Sequence, residues 1–210
     1  MKRIIVTLIS LLIIILLVYI VDLQGRQAIR TTVSNYYDVV NVYKSLVKQV
    51  RKESTEITVE QLDQYFQDEL IGKYQEIMTG NILNSFEEAI RSCSVMSEDY
   101  QILYSDLEAI TIKSVEVKRL GLNNFLCTVL LNSKESYSSL TYHPVLETIV
   151  KDYKVSNLTQ EEFDEFSNED FIMDLDVNRK ELFYLRKVKD RWLIYDIQQD
   201  ILNSTLKIEK

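Results

Sequence analysis

The sequence predicts an α+β protein: one N-terminal transmembrane helix, then leading helices packed on a curved antiparallel sheet. Three observations carry this expectation. An uncharged apolar run opens the chain, apolar residues then recur at helical spacing as far as residue 95, and from about residue 110 they alternate with polar ones. Helices first and strands afterwards make an α+β order rather than an alternating one.

From Ile4 to Val21 there are 18 residues without a charge, and 15 of them are Ile, Leu or Val. At ~1.5 Å rise per residue such a helix covers about 27 Å, close to the ~30 Å hydrocarbon core of a bilayer. Insertion of each of these side chains is favourable by roughly 0.3–0.6 kcal/mol, which outweighs Thr7, Ser10 and Tyr19. A cleaved signal peptide is the alternative; its apolar region is about 7–15 residues and ends in a small-x-small site. Here the run is longer and Val21-Asp22-Leu23-Gln24-Gly25-Arg26 offers no such site, so an uncleaved signal anchor is expected. Lys2 and Arg3 crowd one end, while Arg26 and Arg30 follow the other at a distance. The positive-inside rule then puts the short N-terminus in the cytoplasm and residues 24–210 outside the cell membrane.

Gly25 is the sole breaker before the next element, so the chain divides into 1–25 (tip and anchor), 26–198 (α+β domain) and 199–210 (polar tail expected to fray). Residues 26–52 read as a helix, with Ile29, Val33, Tyr36, Val40, Tyr43, Val47 and Val50 forming one apolar seam. That seam fits an amphipathic helix lying on its own domain's sheet, or a stalk pairing two copies of the chain. Thr58 and Gln61 have the spacing of a capping box; Leu62, Tyr65, Phe66, Leu70, Tyr74 and Ile77 supply the apolar face behind it, and Thr79-Gly80 ends the helix. A third helix over 82–95 carries Ile82, Phe86, Ala89, Ile90 and Cys93.

Ile110 and Ile112, then Val115 and Val117 after a slip in phase, mark a first strand. Leu120-Gly121-Leu122-Asn123-Asn124 reads as a turn, and Phe125–Leu131 as a second strand. A third is expected within 145–155, an acidic loop or short helix over 159–170, and an edge strand over Phe171–Val177. Glu181–Lys189 and Arg191–Ile197, joined near Asp190, make the plainest hairpin.

Composition removes several functions. A formal charge of −8 argues against duplex nucleic acid as a partner. Residues 24–210 alone hold 22 basic and 31 acidic side chains, so an anionic membrane would repel the domain as a whole. One His and two Cys exclude two-His and four-Cys zinc motifs, and four glycines leave no phosphate-binding loop. His143, beside Pro144, has no marked catalytic partner and reads as a turn or partly buried residue. Cys93 and Cys127 read as small core residues, with a single disulfide as the alternative for an exported domain. The acidic run Glu161, Glu162, Asp164, Glu165, Glu169, Asp170, Asp174 and Asp176 reads as a solvated face; a weak cation site or a patch for a basic partner is the alternative. Its Asp174-x-Asp176-x-Asn178 start resembles a calcium loop, but Arg179 and Leu185 stand where that loop requires Gly and Glu. Arg179, Lys180, Arg186, Lys187, Lys189 and Arg191 read as the charged outer face of the last hairpin, and Tyr184, Trp192 and Tyr195 as core. No residue is assigned as catalytic, cofactor-binding or metal-binding, and no cofactor is expected.

The closing hairpin, Leu182-Phe183-Tyr184-Leu185-Arg186-Lys187-Val188-Lys189-Asp190-Arg191-Trp192-Leu193-Ile194-Tyr195-Asp196-Ile197, resembles the last strands of the nuclear-transport-factor-2-like superfold, where charged turn residues are followed by Trp-x-Ile. Behind a single membrane anchor, the arrangement is similar to the bitopic scaffold subunits of type IV secretion and Gram-positive conjugation machines. The resemblance implies a cone-like domain over about residues 27–198 and a non-catalytic assembly role with other membrane or envelope proteins. Enzymatic members of the superfold carry a His/Asp or Tyr/Asp set in the cone, and no such set carries over to this sequence. A small-ligand-binding or enzymatic cone, and an acidic docking or sensor domain acting through 161–176, are the alternative expectations.

Overall fold

In the computed structural model, residues 2–53, 59–92, 106–139, 154–155 and 171–209 are described. Three helices, α1 (Lys2–Glu53), α2 (Val59–Ile77) and α3 (Asn81–Ser92), precede an open antiparallel sheet of β1 (Asp106–Arg119), β2 (Asn124–Ser139), β3 (Phe171–Val188) and β4 (Arg191–Glu209). The sheet order is β1-β2-β3-β4, so each strand lies beside its neighbour in sequence. The α+β class is as the sequence predicts.

Gly25 does not break α1. The helix runs unbroken for 52 residues, and Gly25 serves another purpose. A Cβ built there would lie 3.3 Å from Cζ of Phe125, so the missing side chain lets the helix settle against the sheet. Beyond it, Ile29, Val33, Tyr37 and Val39 are buried, with Tyr36 packed against the same core. The first half of the 26–52 seam therefore packs on its own domain's sheet; Tyr43, Val47 and Val50 lie outside the residues whose side chains are described.

The junction between α2 and α3 is tied to β4. Met78 bridges Ile194, and the Thr79 amide donates to the Ile194 carbonyl at 2.9 Å. Gly80 follows at φ +74°, a conformation that costs an L-residue about 1–2 kcal/mol. Gly80→Ala is therefore expected to lower the thermal midpoint, read by circular dichroism, by roughly 2–8 °C.

The phase slip in β1 is a register shift between Ile112 and Ser114, which returns Val115 and Val117 to the phase that faces the helices. Three expectations change. The segment beginning at Phe171 is not an edge strand; it is the first half of β3, paired with both β2 and β4. The tail does not fray, because residues 199–209 continue β4 and pair with β3 as far as Ile172↔Glu209. β2 also extends well beyond Leu131, to Ser139. The strand expected within 145–155 falls outside the described residues except at Lys154 and Val155, where Val155 bridges Ser204 in parallel. The Thr58 cap, the loop over 159–170, His143, Pro144 and Cys93 also lie outside them.

The core lies between the helices and one face of the sheet. Phe125, Cys127, Val129 and Leu131 of β2 and Phe183 and Leu185 of β3 point into it at the period of two, with Ile194 beside Leu185. Trp192 packs edge-on against Phe125, with ring centroids 5.1 Å apart. Tyr184 and Tyr195 are not core residues. They pair on the opposite face, 6.2 Å apart, with the Arg186 guanidinium over the Tyr195 ring.

Candidate functional site

The helix-facing phase of β3 is interrupted by charge. Arg179 and Glu181 occupy the same alternation as Phe183 and Leu185, so pleating alone turns them toward α1. Glu181 is buried, and its Oε2 accepts a hydrogen bond from Tyr37 Oη at 2.7 Å. Its Oε1 receives Gln199 Nε2 of β4 at 3.4 Å. The ring of Phe183 fixes the two tyrosines, at 5.1 Å from Tyr36 and 5.9 Å from Tyr37, each edge-on. Helix and sheet thus meet through one phenol and one carboxyl in an apolar frame, with the Arg179 charge near enough to act on both.

Burial pushes the Glu181 carboxyl above the ordinary carboxylate range; the Tyr37 hydrogen bond and the Arg179 charge pull it down by less. Burial also lowers Arg179, which Glu181 and the tyrosines oppose. The group can hold a proton between phenol and carboxyl, and it can balance one buried cation. Arg179 therefore departs from the solvated face expected of the basic hairpin, whereas Arg186, Lys187, Lys189 and Arg191 are exposed as expected.

No protein-family model matches this chain, and no curated protein is significantly similar to it. What bears on function is the chain's own geometry.

Of the residues singled out from sequence, Cys127 is a free, buried thiol, pushed up to about 11 by burial, a value that keeps it protonated and unreactive at neutral pH. Residues 161–170 of the acidic run lie outside the described residues. Asp174 and Asp176 are on β3, where extended pairing replaces the tight turn a calcium loop needs. Asp176 accepts a hydrogen bond from Asn132 Nδ2, and Asn178 Nδ2 donates to Asn203 Oδ1 at 2.8 Å. Lys113 Nζ donates to Asn178 Oδ1, so a polar row crosses all four strands on the face away from the helices. Among the described residues no cluster of three His, Cys, Asp or Glu side chains is placed to hold a metal ion.

A second polar junction sits where the apolar stretch of α1 ends. Asp22 accepts from Arg26 Nε at 2.7 Å and from Arg119 Nη1 at 3.2 Å. Arg26 Nη1 in turn donates to the Val117 carbonyl of β1. The sequence marks Asp22 only as the exit charge and Arg26 only as a topology signal. Nothing in the linear order marks Arg119, some hundred residues away, as their partner.

Proposed function

We propose that this chain is a single-pass membrane protein of the cell envelope, N-terminus cytoplasmic, whose extracytoplasmic α+β domain is a non-catalytic assembly module for other membrane or envelope proteins. The observation that carries the reading is the continuity of α1: one unbroken helix supplies both an apolar stretch long enough to span a bilayer and the Ile29–Val39 face buried in the domain core. A domain so joined has no linker at the bilayer. Force or position at the sheet passes to the anchor through the helix, the coupling a fixed scaffold needs and a tethered enzyme does not. The closing hairpin and the leading helices support the likeness to the nuclear-transport-factor-2-like cone and to secretion or conjugation scaffolds. Partners in this reading are the lipid bilayer through residues 4–21 and neighbouring envelope proteins. Ile29, Val33 and Tyr36 already pack in the domain's own core, so they are not available to pair two copies of the chain.

Mild detergent extraction of the full-length tagged chain from its own membranes, followed by mass spectrometry, tests the reading. Other membrane proteins are expected in stoichiometric amounts, and recovery of the chain alone would sink the scaffold role. Protease added to intact cells is expected to cut within 24–210; protection there would reverse the orientation.

One observation favours a second reading, a ligand-binding or catalytic domain: Tyr37 and Glu181 place a phenol against a buried carboxyl between helix and sheet. That reading predicts a thermal shift with a small ligand and loss of the shift in Tyr37→Phe.

A further inference from the structure

We propose that the uncharged turn between β1 and β2, Leu120–Asn123, is a second membrane contact, seated in the headgroup region of the same bilayer that α1 spans. The inference rests on the membrane-anchored reading above and adds a surface to it.

Arg119 fixes the position of the turn. Its guanidinium binds Asp22 through Nη1 and also donates to two turn carbonyls, Gly121 through Nε at 3.0 Å and Leu122 through Nη2 at 3.4 Å. Asp22 is the first charge after Ile4–Val21, so the turn lies at the level where the helix leaves hydrocarbon. The start of β2 meets α1 at nearly the same level, through Phe125 at Gly25, and the contacts of β3 and β4 lie higher along the helix. β1 meets α1 at residues 22–26, whereas Trp192 of β4 meets Thr32 and Glu181 of β3 meets Tyr37. β1 is thus the strand closest to the apolar stretch.

Two exposed leucines sit on that turn. Outside α1, the large exposed hydrophobics among the described residues are Ile112 (44% exposed), Leu120 (49%), Leu122 (84%) and Leu202. Two of these four are on the turn itself, while Ile112 lies roughly 26 Å up β1 from it. Scattered exposed leucines are ordinary; two on one tight turn beside a membrane helix mark a contact surface. The domain's net negative charge would hold it off an anionic surface, but Leu120-Gly121-Leu122-Asn123-Asn124 carries no charge. The turn is therefore the part of this edge that can enter the interface without an electrostatic barrier, and its leucines are freed from water on doing so.

The test uses the full-length chain in phosphatidylcholine vesicles with and without dibrominated acyl chains, in a Trp192→Phe background. Leu122→Trp is expected to fluoresce at shorter wavelength than Leu202→Trp and to be quenched by the brominated lipid at least about twofold, with Leu202→Trp unquenched. Leu12→Trp reports on the anchor itself. Quenching of Leu12→Trp without quenching of Leu122→Trp overturns the second contact and leaves the anchor standing. Absence of quenching at both positions overturns the anchor reading and this inference with it. If Trp192→Phe does not fold, the same comparison with Trp192 retained, its own signal subtracted, reads the same contact.

Discussion

A chain shortened to begin at residue 42 is expected not to fold, whereas one beginning at residue 23 is expected to unfold in a single cooperative transition. The first loses Ile29, Val33, Tyr37 and Val39, all buried, together with Tyr36 on Phe183. Burial of a large apolar side chain contributes about 1.5–3 kcal/mol, so four of them represent roughly 6–12 kcal/mol. That equals most of the ~5–15 kcal/mol that keeps a domain folded. The second chain loses Met1, Lys2, Arg3, the apolar stretch and Asp22, and retains Gly25 against Phe125. Urea denaturation followed by circular dichroism distinguishes the two. Equal, cooperative unfolding of both would mean that α1 is an accessory to the domain rather than part of its core.

Glu181→Ala is expected to cost about 1–3 kcal/mol, the range for leaving a buried hydrogen-bonding group without its partner. The substitution takes the acceptor from Tyr37 Oη and removes the charge that favours the buried Arg179 guanidinium. Glu181→Gln removes the same charge but keeps the shape and an acceptor for Tyr37, so its cost is expected to be smaller. The folded and unfolded states of the native chain also respond differently to pH. Burial raises the folded carboxyl above its unfolded value, so at low pH both states hold the proton and the group carries no penalty. As pH rises from the ordinary carboxylate range through the folded value, the unfolded chain ionises first and stability falls. The native chain should therefore lose stability relative to Glu181→Gln as pH rises through that window. A difference that instead grows in favour of Glu181 with rising pH would show that Arg179 outweighs burial.

A feature of this fold is legible in the sequence when its signal is local. The slip between Ile112 and Val115 shows in the residue order alone, because a bulge changes the phase of alternation on its own strand. The turn at Leu120–Asn124 and the hairpin around Asp190 are legible for the same reason. Arg179 reads as surface because charge ordinarily means solvent, and Glu181 carries no mark of burial by residue type. Their phase tells more than their charge: they stand four and two residues before Phe183, which puts both on the core side. Gly25 misleads for the opposite reason. A glycine in a helix weakens it locally, but here the ring of Phe125, a hundred residues later, occupies the space that a side chain would fill.

Residue order alone accounts for the apolar N-terminal stretch, the three leading helices, the β character of the second half and the acidic balance. Each follows from periodicity or charge within one segment, where neighbours in the chain are also neighbours in space. Packing in three dimensions makes α1 a single helix shared between apolar stretch and core, puts the Phe171 segment inside the sheet rather than at its edge, and draws the apparent tail into β4. The same holds for the Asp22–Arg119 pair and the Tyr37–Glu181 pair. Those two pairs join residues about 100 to 145 positions apart, and one sequence carries no record of which distant side chains will share a space. Helix–sheet packing makes that choice, because the bulk of Phe125, Trp192 and Phe183 sets where α1 can lie.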